Sequence, residues 1–300
     1  MLKRTIYISN ECYLFCKNSQ MIISKSSKES ENKDGNSIPI EDIGCIIIDN
    51  PAVIITQYLL SALNDNNAAI IICNDKHMPA SMLLNLDGNC VQSERFKSQI
   101  EAKKPLIKKL WQQTVISKIT NQKNLLKKNN VKVDNMKLWI RQIKTGDRTN
   151  IEARASVFYW KNLFKDNNNF VRDRFGEPPN NLLNYGYSIL RGIVARALVS
   201  SGLLPTLGIH HKNKYNAYCL ADDIMEPYRP YVDELVLNLK YKYDYELTKD
   251  IKRELLKIPV IDIAFHNEKS PLMVGIQRTT SSLAKCYLGE SDTIIYPILK

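Results

Sequence analysis

The spacing of apolar residues in this chain changes once, near residue 90. Before that point, short β-branched or aromatic runs alternate with polar breaks: TIYIS (5–9), CYLFC (12–16), MIIS (21–24), IPI (38–40) and IGCIII (43–48). Runs of that length and composition predict strands. The polar, turn-rich stretch KSSKESENKDGNS (25–37) predicts a long hairpin tip or loop. VIITQYLLSALN (53–64) has its apolar residues at helical spacing and predicts a helix. AAIIICN (68–74) is apolar almost throughout, as in a strand covered on both faces, and MLLNL (82–86) predicts one more strand.

After Cys90 the period becomes helical. Residues 91–130 are lysine-rich, with Trp111 and Ile116 among the apolar positions, and 134–144, 150–165, 185–201, 222–239 and 244–256 also predict helices. GYSILRGIVARALVSSG (186–202) is apolar around most of its circumference and predicts the central buried helix, with Gly202 as the residue that ends it. The fold class is therefore α+β: a β-rich domain over 1–90, then a mainly α-helical domain over 91–300.

Composition narrows the classes. At 300 residues the chain has room for two domains, and 44% hydrophobic with 24% charged residues excludes a disordered or fibrous chain. No apolar run reaches the ~18–20 residues of a membrane span, and MLKRTIYISN carries no signal-peptide core. Seven cysteines without a CxxC pair fit a reduced, cytoplasmic protein. Charge divides with the pattern. Residues 1–90 hold 7 Lys+Arg against 10 Asp+Glu, and the remainder holds 35 against 21, a net +14. A basic second domain fits a polyanionic partner, and solvated helix faces are the plainer alternative.

Candidate chemistry gathers in three stretches. In TNIEARASVFYWKNLFK (149–165), Glu152 stands early in a helix, and Thr149-x-x-Glu152 reads equally as a capping box. LADDIMEPYRPYVDELV (220–236) puts Asp223 and Glu226 on one helix face, with Asp222 as the natural N-cap. Pro230 in the same run removes a helical hydrogen bond and predicts a kink. Two carboxylates beside a helix start stabilise its dipole, or repel one another until a divalent cation relieves them. LGIHH (207–211) brings His210 and His211 close in sequence to that pair, while His77 and His266 read as turn residues. Carboxylates with one imidazole suit Mg²⁺ or Mn²⁺ better than zinc. There is no GxSxG, GxxxxGK[ST], GxGxxG or HExxH motif. Arg278-Thr279-Thr280 with Lys285 is a basic stretch that fits phosphate contact or an ordinary helix start.

Together these stretches resemble a known family. IEARASVFYW around Glu152, the run LNYGYSILRGIVARALVSSGLLPTLGIHHKNKYN (183–216), LADDIMEPYRPYVDEL (220–235) and NDKHMPASML (74–83) are similar to the CRISPR-associated integrase/endonuclease, the larger of the two core spacer-acquisition proteins. SPLMVGIQRTTSSLAKCYLGE (270–290) resembles the tail of the type II subtype, which accompanies a single-protein RNA-guided effector nuclease. The resemblance covers the full length. It implies an N-terminal β-sandwich-like domain making dimer and partner contacts, and an α-helical catalytic, DNA-binding domain. It implies Glu152, His211 and Glu226 as ligands of Mg²⁺ or Mn²⁺, with Asp223 as a further catalytic acid. His211, not His210, closes the family's Leu-Gly-x-x-His pattern. The implied partners are double-stranded DNA, a second copy of the chain and a smaller adaptation protein, assembled as a heterohexamer in a prokaryotic cytoplasm. Lys212, Lys214, Arg229 and Arg278 are the candidate phosphate ligands. The implied reaction joins 3′-hydroxyl ends of a captured DNA fragment into a CRISPR repeat. A non-catalytic DNA-binding scaffold and a stand-alone metal-dependent nuclease are the alternatives.

Overall fold

The computed structural model describes residues 3–25, 36–165, 170–239, 245–265 and 268–300. Most of the expected hairpin tip at 25–37, and His266, lie outside the described residues. The chain divides into two compact units, Met1–Gly88 and Asn89–Lys300.

The first unit holds two four-stranded sheets. One has the order β1 (Arg4–Ile8), β5 (Ile43–Ile48), β7 (Ala69–Cys73), β8 (Pro79–Leu83), with the first three parallel and β8 antiparallel. The other has the order β4 (Asn36–Pro39), β3 (Gln20–Ser24), β2 (Tyr13–Lys17), β6 (Ile54–Ile55). Parallel neighbours need a crossover, and α1 (Gln57–Asp65) lies in the one between β5 and β7. Thr56 caps α1 by accepting from the Leu59 N–H at 3.3 Å. Every residue of β5 is buried. Ile8 and Ile46 from one sheet, Leu14 and Met21 from the other, and Leu59 and Leu63 of α1 share one core. The expected helix at 53–64 thus begins at residue 57, because Ile54 and Ile55 pair with Tyr13 and Leu14 first.

The second unit is helical: α2 (Gln92–Ile100), α3 (Lys104–Lys128), α4 (Asp134–Gln142), α5 (Ile151–Leu163), α6 (Asn180–Ser200), α7 (Cys219–Met225), α8 (Arg229–Leu239), α9 (Lys249–Leu255) and α10 (Leu272–Tyr287), with a hairpin of β9 (Asp262–Phe265) and β10 (Glu268–Pro271). The lysine-rich, helical stretch expected over 91–130 forms two helices, parted at 101–103. α6 is the central helix, buried from Leu182 to Val199 on nearly all sides. It ends in a Schellman turn: the Gly202 N–H donates to Val199 O at 2.9 Å and the Leu203 N–H to Leu198 O at 2.9 Å. Gly202 has φ +68°, and a Cβ there would stand 2.7 Å from Arg95 Cδ. The mixed α+β architecture, β-sheets followed by helices, is the expected fold class. Among the described residues, no helix is long and apolar enough to cross a membrane.

Candidate active site

The site is assembled around one face of α3. Trp111, Thr114, Lys118 and Asn121 are all buried along it. Their spacings of three, four and seven residues stack them on one stripe. Asn121 fixes that stripe: its Nδ2 donates to Pro227 O at 2.8 Å and Pro297 O at 3.1 Å, and its Oδ1 accepts from the Leu299 N–H at 3.0 Å. Thr114 pairs with the Tyr296 hydroxyl at 2.9 Å.

Glu152 enters from the first turn of α5. The N-cap residue, Asn150, has φ +52° and makes no side-chain cap bond. Asp147 caps instead, its carboxylate accepting the Ile151 N–H at 3.0 Å and the Glu152 N–H at 2.9 Å. The capping-box reading of Thr149 and Glu152 is therefore corrected. Thr149 lies one residue outside the cap, and Asp147 satisfies the helix N–H groups that the Thr149 hydroxyl would have served. The Glu152 carboxylate instead meets the Lys118 ammonium.

Glu226 enters from the opposite side. α7 starts at Cys219, three residues before the expected start at 222, because Pro205 O accepts the Leu220 N–H at 2.8 Å and serves as a backbone cap. Asp222 is thus not the N-cap. It lies inside α7, accepting from Arg191 Nε at 2.7 Å and Asn216 Nδ2 at 2.7 Å. The helix expected from 222 with a kink at Pro230 is instead interrupted at Glu226–Tyr228, a 3-10 turn that contains Pro227, and Pro230 falls in the first turn of α8. Glu226 Oε1 accepts from Arg229 Nε at 2.9 Å. Its Oε2 lies 2.6 Å from Lys118 Nζ but has no partner in hydrogen-bond geometry. Lys118 thus holds Glu152 and Glu226 on one nitrogen. Two charge-assisted contacts of this kind keep the oxygens within about 6 Å of each other.

Asp223 does something different. It is fully buried and accepts three N–H groups: the His210 backbone at 2.9 Å on Oδ2, the His211 backbone at 3.2 Å on Oδ1, and His211 Nδ1 at 2.6 Å on Oδ1. The loop folds this closely only over glycine, since a Cβ on Gly208 would stand 2.3 Å from His211 O and 2.9 Å from Asp223 Oδ2. With Nδ1–H donated to Asp223, the neutral imidazole keeps its lone pair on Nε2. His210 turns the other way and stacks on Trp111, ring centroids 4.1 Å apart.

The electrostatics follow from these contacts. Burial alone would raise Glu226, but Arg229 and Lys118 outweigh it and hold the carboxyl at about 2. Burial would lower Lys118, yet Glu226 and Glu152 raise it above its ordinary value. The hydrogen bond to Asp223 raises His211 against the opposing effect of its burial. Among the described residues, no three His, Cys, Asp or Glu side chains form a ready-made metal cluster, and the Lys118 ammonium stands between the two glutamates.

Of the candidate phosphate ligands, Lys212 is exposed, and so is Lys214, whose ammonium lies 4.9 Å from the Tyr215 ring centroid. Arg278 pairs with Glu268 at 2.7 Å, in mid-helix and not at a helix start. Arg229 is half-buried. Its guanidinium is committed to Glu226 and lies 4.4 Å from the Tyr187 ring centroid.

Sequence reasoning missed Lys118, Asp147 and Asp233. Nothing local separates Lys118 from the other lysines, although its seven-residue spacing from Trp111 puts both on one helix face. Asp233 is buried in α8, where the Tyr159 hydroxyl donates to it at 2.7 Å and the Tyr187 hydroxyl donates as well. Burial pushes its carboxyl up to about 7 despite those bonds.

The chain resembles known proteins over nearly its whole length. Residues 6–254 match the family model described as CRISPR associated protein Cas1. A CRISPR-associated endonuclease Cas1 from Neisseria meningitidis serogroup C (strain 8013) is 32% identical over 286 residues, 94% of this chain and 91% of that protein. A casposase bound to integration product shares the fold, with TM-score 0.77, 18% identity, and 98% of this chain and 93% of that one covered. A Cas6-RT-Cas1–Cas2 complex superposes with TM-score 0.75 and 17% identity, covering all of this chain and 37% of the matched chain.

Proposed function

This chain belongs to the CRISPR-associated Cas1 family of endonuclease/integrase enzymes, and from that premise we propose that it performs metal-dependent phosphoryl transfer on DNA. The single observation that carries the reading is the convergence of Glu152 and Glu226, from two separate helical segments, on one buried positive charge, with an oriented His211 near enough to Glu226 to interact electrostatically. The donor set fits a hard divalent cation: two carboxylates, one imidazole nitrogen, and on Glu226 a buried Oε2 lacking a hydrogen bond. Glu152, His211 and Glu226 would hold Mg²⁺ or Mn²⁺. A cation bound there would stabilise the charge that develops on the phosphoryl oxygens.

The remaining roles belong to the chain. Asp223 positions His211 through Nδ1, so that Nε2 faces away from Asp223 as a ligand or proton acceptor. Arg229 holds the Glu226 carboxylate charged and oriented. The reaction is a transesterification. A fragment's 3′-hydroxyl oxygen forms a bond to a repeat phosphorus, a phosphorus–O3′ bond of the repeat breaks, and the proton lost by the attacking hydroxyl is balanced by one gained by the leaving oxygen. With water as nucleophile the same chemistry is endonucleolytic. No covalent protein intermediate is required.

Exposed Lys212 and Lys214 would contact phosphates without reading sequence, Arg278 would join them after releasing Glu268, and the +14 charge beyond residue 90 supports DNA as the partner. A homodimer that captures double-stranded DNA with the smaller Cas2 protein, as a heterohexamer whose contacts run through the N-terminal unit, completes the proposal. The tail at 270–290 supports the type II subtype. The testing experiment is strand transfer of a pre-formed DNA fragment into a repeat-bearing plasmid, with Cas2 and Mn²⁺. Glu152→Ala and Glu226→Ala should abolish joining while folding and DNA binding persist. Joining by both variants would refute the site. Fragment cleavage with no preference for repeat ends would favour a stand-alone nuclease.

A further inference from the structure

Lys118 is the member of this cluster to which the proposed reaction gives no step. It is also the most constrained. Its side chain is 9% exposed, and its Nζ contacts Glu152 Oε1 and Glu226 Oε2 together. Its backbone cannot withdraw, because Trp111 two turns before it is buried against His210 and Asn121 one turn after it is bonded to Pro227, Pro297 and Leu299. Rotation of the Lys118 side chain therefore frees the two carboxylates without moving α3.

Charge balance sharpens this. Glu152 and Glu226 carry two negative charges, and Lys118 and Arg229 carry two positive ones. With the buried Asp223 carboxylate counted and His211 neutral, a divalent cation added to that set would leave a buried excess of +1, which a low-dielectric site penalises. It would also need the same carboxylate oxygens that the ammonium touches. Arg229 pairs with Glu226 Oε1, the oxygen Lys118 does not touch, and need not move; Lys118 holds both carboxylates and does.

We propose that Lys118 is a built-in competitor for the cation. Its ammonium gathers Glu152 and Glu226 into one place, and it must give up Glu226 Oε2 before a divalent ion takes both carboxylates. Lys118 thereby trades affinity for preorganisation: the carboxylates are held together without the metal, and the metal binds more weakly than the two carboxylates alone would allow. This rests on the reading of Glu152 and Glu226 as cation ligands.

The test is direct Mn²⁺ binding, by calorimetry on the full-length protein, with no DNA and no turnover. Lys118→Met should tighten Mn²⁺ at least tenfold, Lys118→Arg should stay within about threefold of wild type, and Glu226→Gln should weaken it at least tenfold. Unchanged or weaker binding by Lys118→Met, with Glu226→Gln still damaging, overturns the competitor role and leaves the metal site standing. Binding indifferent to Glu226→Gln overturns the metal site and this proposal together. Should Lys118→Met fail to fold, the wild-type protein labelled at lysine Nζ with ¹⁵N decides by NMR. The buried ammonium signal, assigned by its loss in Lys118→Arg, should shift as Mg²⁺ is added, with the midpoint of Mg²⁺ binding. A signal unmoved at saturating Mg²⁺ overturns the proposal.

Discussion

Asp223→Asn is the perturbation that separates an orienting acid from a merely acidic helix. Asp223 is fully buried and spends both oxygens on three N–H donors, two of them from His211. Asparagine keeps one oxygen and puts an NH₂ group where the other stood. In the better rotamer it still serves His211 but faces the His210 N–H with a donor; in the other it abandons both His211 contacts. At least one charge-assisted hydrogen bond, worth about 1.5–3 kcal/mol, is lost, and one buried N–H is left unsatisfied. The expected cost is about 2–4 kcal/mol. In a unit of some 200 residues that lowers the melting temperature by roughly 5–15 °C. Because a neutral amide holds the imidazole more weakly than the carboxylate and lowers its basicity, Mn²⁺ affinity should also fall about 10–100-fold. Scanning calorimetry with and without Mn²⁺ and a calorimetric Mn²⁺ titration measure both. A variant that melts within 1 °C of wild type and binds Mn²⁺ equally well would refute the reasoning.

Two further predictions concern parts of the second unit outside the metal ligands. Asp147→Ala, which removes the true cap of α5, should cost about 1–2 kcal/mol in urea denaturation, whereas Thr149→Ala should change stability by less than about 0.5 kcal/mol; the reverse order would restore the capping box. Burial raises the folded pKa of Asp233 to about 7 from the ordinary 3.8, so between those pH values the folded chain keeps a proton that the unfolded chain has released, and stability falls as pH rises through that window. Asp233→Asn removes the titration, so the stability of the variant relative to wild type should grow by up to about 4 kcal/mol between pH 4 and pH 8 in paired urea melts; a pH-independent difference would contradict the assignment.

The sequence carried the periodic parts of this fold well. The β5 and β7 runs and the α6 run are long, apolar and bounded by turn residues, so their environment was written into their composition. Element starts were less legible, because groups outside the expected cap positions supplied the caps: the Pro205 carbonyl for α7 and the Asp147 carboxylate for α5. The acids of 220–236 were visible as a group, but their separate duties depend on partners brought by folding. Arg191 claims Asp222, His210 and His211 claim Asp223, and Arg229 with Lys118 claims Glu226. Lys118 was illegible, since only the packing of α3 singles it out from a lysine-rich stretch. The place of Arg229 beside Glu226 and the Tyr187 ring likewise depends on packing.

The central claim is that Glu152, His211 and Glu226 together hold one catalytic divalent cation. Anomalous diffraction at the manganese edge, on crystals of the full chain soaked in Mn²⁺, tests it most directly. The account predicts one strong peak in contact with the carboxylates of Glu152 and Glu226 and with His211 Nε2, and Lys118 Nζ withdrawn from Glu226 Oε2. A peak held by other residues, or no peak at this site with Lys118 still bridging both glutamates at saturating Mn²⁺, would contradict it.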